Sequence, residues 1–226
     1  TDRQVFRNLL RSPGAWVCAV LLLGRQVFSW PGLEWLLLAA ALTLPLSGVL
    51  TYGKPQALTF TDVCAMAAAG FAIPWAFSGL YGLRMLEGGY LLVLTPLVAA
   101  FCSDALALFT GMALGRHKLA PLVSPHKTVE GALGGLVGGM AGMAIFCLVY
   151  RAITGVNLGL PLCVALGLLG ALLGELGDLS FSAVKRQYGI KDYGRLLPGH
   201  GGVLDRFDSV LFAAPVLCAL LRALAA

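Results

Sequence analysis

Seven long apolar runs dominate this sequence and leave few folds open to it. They cover about 13–30, 33–50, 57–79, 88–115, 128–150, 157–184 and 204–225. A helix of roughly 20 apolar residues is long enough to cross a bilayer. Lipid offers the backbone no hydrogen-bond partners, so such runs satisfy themselves as helices. Only 12% of the residues are charged, about half the share usual in a soluble domain. The 29 glycines suit close helix packing in lipid. The expected fold is an all-α, polytopic integral membrane bundle with about seven transmembrane segments. Arg25 and Gln26 interrupt the first run, which reads as a short or re-entrant helix. The chain opens on Thr1 rather than Met and is read as truncated at its N-terminus. Residues 1–226 form one membrane domain, with N-terminal helices over 1–87 and the chemistry-bearing helices and loops over 88–226.

The placement of Lys and Arg predicts topology, because basic residues favour cytoplasmic loops. With the N-terminus inside, the inner loops hold Arg3, Arg7, Arg11, Lys54, Arg116, Lys118, Lys127, Lys185, Arg186, Lys191, Arg195 and Arg206, twelve of the sixteen. The outer loops hold Arg84 and Arg151, and Arg25 and Arg222 lie near outer helix ends, where they can snorkel. The opposite topology would place twelve basic residues outside and is rejected. The polar loops 116–127 and 185–203 therefore face the cytoplasm together. Six cysteines lie in apolar runs without a CxxC spacing and read as packing residues rather than disulfides or zinc ligands.

Ionisable side chains at membrane depth are costly and mark cavities or partners. Asp104, Glu175 and Asp178 are the candidates, whereas Asp62 and Glu130 sit near helix ends, where capping explains them. Glu175, Asp178, Ser182 and Lys185 follow steps of three, four and three, which puts them on one helical face. Two like charges three residues apart are unfavourable unless a cation or a proton relieves them. The following loop carries eight charged residues within 185–208, around Pro198-Gly199-His200-Gly201-Gly202. Glycines let backbone N–H groups approach an anion, although the P-loop pattern GxxxxGK[ST] is absent. Asp205 and Asp208, three apart near the start of the last helix, can share a face or serve as N-terminal acidic residues. Hard carboxylate oxygens suit Mg²⁺, which takes phosphate oxygens as remaining ligands. Lys and Arg hold further phosphate charge. These residues point to metal-dependent phosphate chemistry at a membrane face. In the other loop, Ser124 and Lys127 are candidates to reach a phosphate, and Thr128 is a candidate cap for the next helix. His117 and His126 lack partners for zinc.

At these residues the chain resembles the phosphatidate cytidylyltransferases, or CDP-diacylglycerol synthases. Their signature is matched by Ser182-Ala-Val-Lys185-Arg186, Lys191-Asp192-Tyr193-Gly194, and Leu197-Pro198-Gly199-His200-Gly201-Gly202 followed by Asp205-Arg206-Phe207-Asp208. There is no departure over these 27 residues. The segment from Ser124 to Gly131 and the Ser103-Asp104 helix are also similar to the family. The resemblance covers roughly residues 90–226, and the first 80 match in hydropathy alone.

The resemblance implies transfer of the cytidylyl group of CTP to phosphatidic acid, with Mg²⁺, giving CDP-diacylglycerol and pyrophosphate. The expected partners are CTP, phosphatidic acid and the lipid bilayer, with no nucleic acid and a homodimer as the assembly. The expected location is a bacterial-type inner membrane, multi-pass, with the site toward the cytoplasm. Asp178 and Asp205 are assigned as the core metal pair, with Asp208 and Glu175 as further ligands. A second, monovalent cation is compatible with this set. Lys185, Arg186, Lys191 and Arg206 hold phosphate charge, while His200, Gly201 and Gly202 shape a backbone pocket. Ser182 donates or ligates, and Asp104 lines the same polar cavity, holding Lys127 or a second cation. The small-residue pairs Gly111/Gly115 and Gly131/Gly135 serve either helix contact or a dimer interface. A CTP-dependent lipid-alcohol kinase would need a base for the alcohol proton. An ion-coupled transporter would show two related halves, and no repeat is present.

Overall fold

The computed structural model describes residues 59–194 and 202–225, together with scattered positions between 17 and 53. Among the described residues, five helical spans are long and apolar enough to cross a membrane: Phe60–Arg84, Gly89–Leu114, Val129–Thr154, Leu160–Gln187 and Leu204–Leu224. They coincide with the last five predicted runs. The runs at 13–30 and 33–50 lie mostly outside the described residues. The chain divides into two compact units, Thr1–Tyr81 and Gly82–Ala226.

Helix α1 (Phe60–Arg84), whose residues up to Tyr81 belong to the first unit, starts at a capping box. The Thr59 hydroxyl accepts from the Asp62 N–H, and the Asp62 carboxylate accepts from the Thr59 N–H at 2.8 Å. Asp62 is thus the cap its position predicts, satisfying N–H groups that have no helical partner. Met66 is buried among Val63, Ala67 and Phe71. A π-helical turn at Ala68–Ala72 directly precedes Pro74, whose ring cannot accept ordinary α-helical spacing with the preceding turn.

The second unit holds α2 (Thr95–Leu114), a two-stranded hairpin of β1 (Lys118–Ala120) and β2 (Ser124–Thr128), then α3 (Val129–Thr154), α4 (Leu160–Gln187) and α5 (Leu204–Ala225). Among the described residues, the hairpin is the one addition to the all-α expectation. Pro121 and Pro125 bar a helix there, and the strands pair antiparallel with Lys118 opposite Thr128 and Ala120 opposite Ser124. Thr128 caps α3 as predicted, its hydroxyl accepting from the Gly131 N–H at 3.1 Å.

Helix α3 packs most closely on α2 and then on α4, and α5 covers α4. Small residues make this approach feasible. A Cβ on Gly139 would lie 2.7 Å from the Gly167 carbonyl oxygen, and one on Gly131 would lie 3.3 Å from the Gly111 Cα. At Gly111 and Gly131 the small-residue spacing therefore serves α2–α3 contact within the chain. The core of this unit includes Leu92, Ala99, Met143, Phe146, Tyr150, Leu166, Ala213 and Leu217. Leu108, Phe109, Leu133, Ile145 and Leu148 point outward, as lipid-facing residues should. All five cysteines among the described residues are free.

Candidate functional site

The polar face of α4 forms as its spacing predicts, and its neighbours explain how carboxylates are tolerated there. Asp178 accepts from Ser182 Oγ at 3.3 Å through one oxygen. Its other oxygen meets Lys127 Nζ at 2.7 Å. Lys127 comes from β2, so the hairpin carries a cation onto α4. The direct ion-pair partner of Lys127 is thus Asp178, while Asp104, expected to hold Lys127 or a second cation, lines the cavity beside them. Asp104, on α2, lies within electrostatic reach of Lys127 and Asp178, as does Glu175. Asp208, at the start of α5, is within reach of Asp178, Asp104 and Lys185. It is buried, and one of its oxygens accepts from the Ser209 N–H at 2.8 Å.

Of these groups, Asp104, Lys127 and Glu175 line a cavity of about 430 Å³. Asp104, His126, Lys127, Thr128 and Glu175 supply its polar wall, while Leu108 and Met112 of α2 supply an apolar one. Glu175 reaches inward over Gly135. A Cβ on Gly135 would lie 2.8 Å from Glu175 Oε1 and 2.9 Å from Ser103 Oγ. Ser103 is only 2% exposed, and its hydroxyl has no hydrogen-bond partner among the described residues. Glycine at 135 is thus what admits both polar side chains to the α2–α3–α4 interface.

A second cluster lies one turn further along α4. Lys185 Nζ meets Asp205 Oδ1 at 3.0 Å. Asp205 Oδ2 accepts from the backbone N–H groups of Tyr193 at 2.8 Å and Gly202 at 2.9 Å. Gly202 is held against the preceding loop, where a Cβ would stand 2.8 Å from the Gly194 nitrogen. The Tyr193 hydroxyl donates to the Phe181 carbonyl at 3.0 Å, and its ring lies 5.5 Å from Lys185 Nζ, within cation–π range. Burial raises the Tyr193 phenol, helped by the charges of Asp205 and Asp208, so it stays a donor.

The structure thus gathers Asp104, Lys127, Glu175, Asp178, Ser182 and Asp208 around one region. It engages both oxygens of Asp205 elsewhere, with Lys185 and two backbone donors. Asp208, rather than Asp205, is the α5 carboxylate within electrostatic reach of Asp178. Arg186 donates from Nε to the Val123 carbonyl at 3.2 Å, and Lys191 is exposed. Arg206 lies in the first turn of α5 with an exposed side chain, and Ser124 is half-buried in β2. His200 and Gly201 lie outside the described residues. Tyr193 and Ser103 lie within the matched motifs, but the sequence assigns neither a role. Tyr193 occupies a variable place in the signature, and Ser103 had only its neighbour Asp104 to signal it.

The donor chemistry fits a hard cation. The carboxylates of Asp104, Glu175 and Asp178 lie around Lys127, and that of Asp208 lies within electrostatic reach of Asp104, Asp178 and Lys185. Among the described residues no three His, Cys, Asp or Glu side chains form a metal-binding group by themselves. Mg²⁺ does not require that, because it is commonly held by one or two carboxylates plus water and substrate phosphates.

Comparison with known proteins matches residues 2–224 to the Cytidylyltransferase family. A phosphatidate cytidylyltransferase of Staphylococcus saprophyticus is 40% identical over 158 residues, which is 70% of this chain and 58% of that protein. One from Bacillus subtilis is 41% identical over 166 residues, 72% of this chain and 60% of that protein. One from Staphylococcus aureus is 39% identical over 158 residues, 70% of this chain and 58% of that protein. The match thus spans about three fifths of the length of these relatives.

Proposed function

The chain belongs to the cytidylyltransferase family, and from that premise we propose that it transfers the cytidylyl group of CTP to phosphatidic acid. A phosphatidate phosphate oxygen attacks the α-phosphorus of CTP in line. The new P–O bond gives CDP-diacylglycerol, and the broken one releases pyrophosphate. The observation that carries this is the convergence of Lys127, from the hairpin, with the carboxylates of Asp104 on α2 and Glu175 on α4 at one cavity, with Asp178 paired to Lys127 and Asp208 of α5 within electrostatic reach of Asp178 and Asp104. The relatives named above support the choice of substrates.

The attacking phosphate is already ionised at neutral pH, so the chain needs no strong general base. Its task is positioning and charge neutralisation, which dominate phosphoryl chemistry. Lys127 leaves Asp178 to meet a phosphate when substrate enters. Lys185, held by Asp205, faces the same end of the bundle and stabilises charge as pyrophosphate departs. Arg186, Lys191 and Arg206 supply further positive charge nearby. Asp178 and Asp208 would hold Mg²⁺, with Glu175 and Asp104 behind them. The ion, when bound, neutralises facing phosphates and templates in-line displacement. Asp205 acts through what it holds, namely Lys185 and the Tyr193 and Gly202 backbone.

We place the protein in a bacterial inner membrane with this site toward the cytoplasm, on the strength of the twelve inward basic residues, and expect a homodimer. The decisive assay incubates the purified protein with α-labelled CTP, phosphatidate and Mg²⁺. Label should move into the lipid phase, and chelation should stop it. Label confined to water-soluble nucleotide, with γ-phosphate appearing in a lipid alcohol, would favour a kinase instead.

A further inference from the structure

The hairpin does more than deliver Lys127. Its tip is Pro121-Leu122-Val123, and Leu122 is 92% exposed. One exposed leucine is unremarkable by itself, but its surroundings change that. The hairpin does not stand out into water. Arg186, in the last turn of α4, donates to the Val123 carbonyl at 3.2 Å, and β2 also touches α3 and α4. The tip therefore lies level with the helix ends, where the apolar spans of α2, α3 and α4 meet the headgroup region.

Charge adds the second argument. Arg116, Lys118, Arg186 and Lys191 are exposed around the hairpin and the end of α4. The nearby acids are fewer. Asp192 is exposed, while Glu130 is occupied by His117 at 2.6 Å and by the Arg116 and His117 N–H groups. An apolar tip with a basic rim is the pattern that seats a segment in an anionic membrane interface. A protein partner would need a contiguous patch of about 800 Å², which a single leucine tip does not provide.

We propose that the β1–β2 hairpin is an interfacial anchor, inserting Leu122 at the headgroup–acyl boundary and drawing anionic phospholipid to its basic rim. This goes beyond the cytidylyl-transfer reading and does not depend on it. It gives the leaflet a handle on the cavity, because the anchored hairpin is the element that holds Lys127 against Asp178.

The test places a benzophenone amino acid at position 122 of the full chain in nanodiscs. The discs contain phosphatidylcholine alone or with phosphatidylglycerol, each carrying a clickable acyl chain. Neither lipid is a substrate of the proposed reaction, so labelling reports on the hairpin whatever the activity proves to be. The same probe at Leu148, on the outward face of α3, verifies that the protein is folded and inserted. The expected result is acyl labelling at 122 close to that at 148, rising about threefold or more with the anionic lipid. The Arg116→Gln, Lys118→Gln double variant should flatten that rise. Labelling at 148 without labelling at 122 overturns the insertion, and equal labelling in both discs overturns the anionic preference.

Discussion

Two lysine–aspartate pairs sit a few residues apart along α4, and they differ in almost every physical respect. In Lys127–Asp178 the side chains are 26% and 28% exposed, and among the described residues the carboxylate has one further hydrogen-bond partner, Ser182. In Lys185–Asp205 they are 12% and 5% exposed, and two backbone N–H groups complete the carboxylate. A partly exposed pair contributes little to stability and can open. A buried pair with its lone pairs satisfied is hard to break, because removing one partner strands the other. We therefore read the first as the working contact and the second as the clamp that ties Tyr193 and Gly202 to the start of α5.

Asp205→Ala attacks the clamp and carries the largest expected effect. It leaves Lys185 and two N–H groups unpaired, so a loss of about 3–5 kcal/mol is expected, visible as a drop in melting temperature in detergent. Unchanged stability would show that the loop does not depend on the clamp.

Asp178→Asn attacks the working contact and should lower CTP-dependent turnover about 100-fold or more, worth about 2.7 kcal/mol. Its stability should change by about 1 kcal/mol or less. Near wild-type turnover in this folded variant would remove Asp178 from the site. A large fall in stability with activity retained would reverse the roles of the two pairs.

Gly202→Ala sharpens the account of the clamp. Its Cβ would press on the Gly194 backbone, and a loss of about 1–3 kcal/mol is expected from such overpacking. Tyr193→Phe is the mildest test. It removes the hydrogen bond to the Phe181 carbonyl and should cost about 1 kcal/mol, with turnover within a few-fold of wild type. Lost activity at unchanged stability would move Tyr193 from the clamp into the site.

Much of this was legible in the linear sequence because it is periodic or local. Apolar runs mark the helices, and steps of three and four put Glu175, Asp178, Ser182 and Lys185 on one face. The Thr128 and Asp62 caps lie within three residues of the N–H groups they satisfy. The hairpin was not legible, since β1 is three residues long and its pairing depends on turn geometry. The partner of Lys127 was open for a similar reason. Asp104 and Asp178 were both acidic candidates, and the choice lay in how far the hairpin reaches.

The sequence by itself determined that this chain is a helical membrane protein of the cytidylyltransferase type, through segment length and an unbroken 27-residue signature. Only the tertiary structure decided which carboxylates work together. Asp205 lies three residues from Asp208, yet it pairs with Lys185 and with the backbone N–H groups of Tyr193 and Gly202. Asp208 instead stays within electrostatic reach of Asp178 and Asp104. Spacing places side chains on a helix face, but contacts across 20 residues or more depend on how the loops between helices fold.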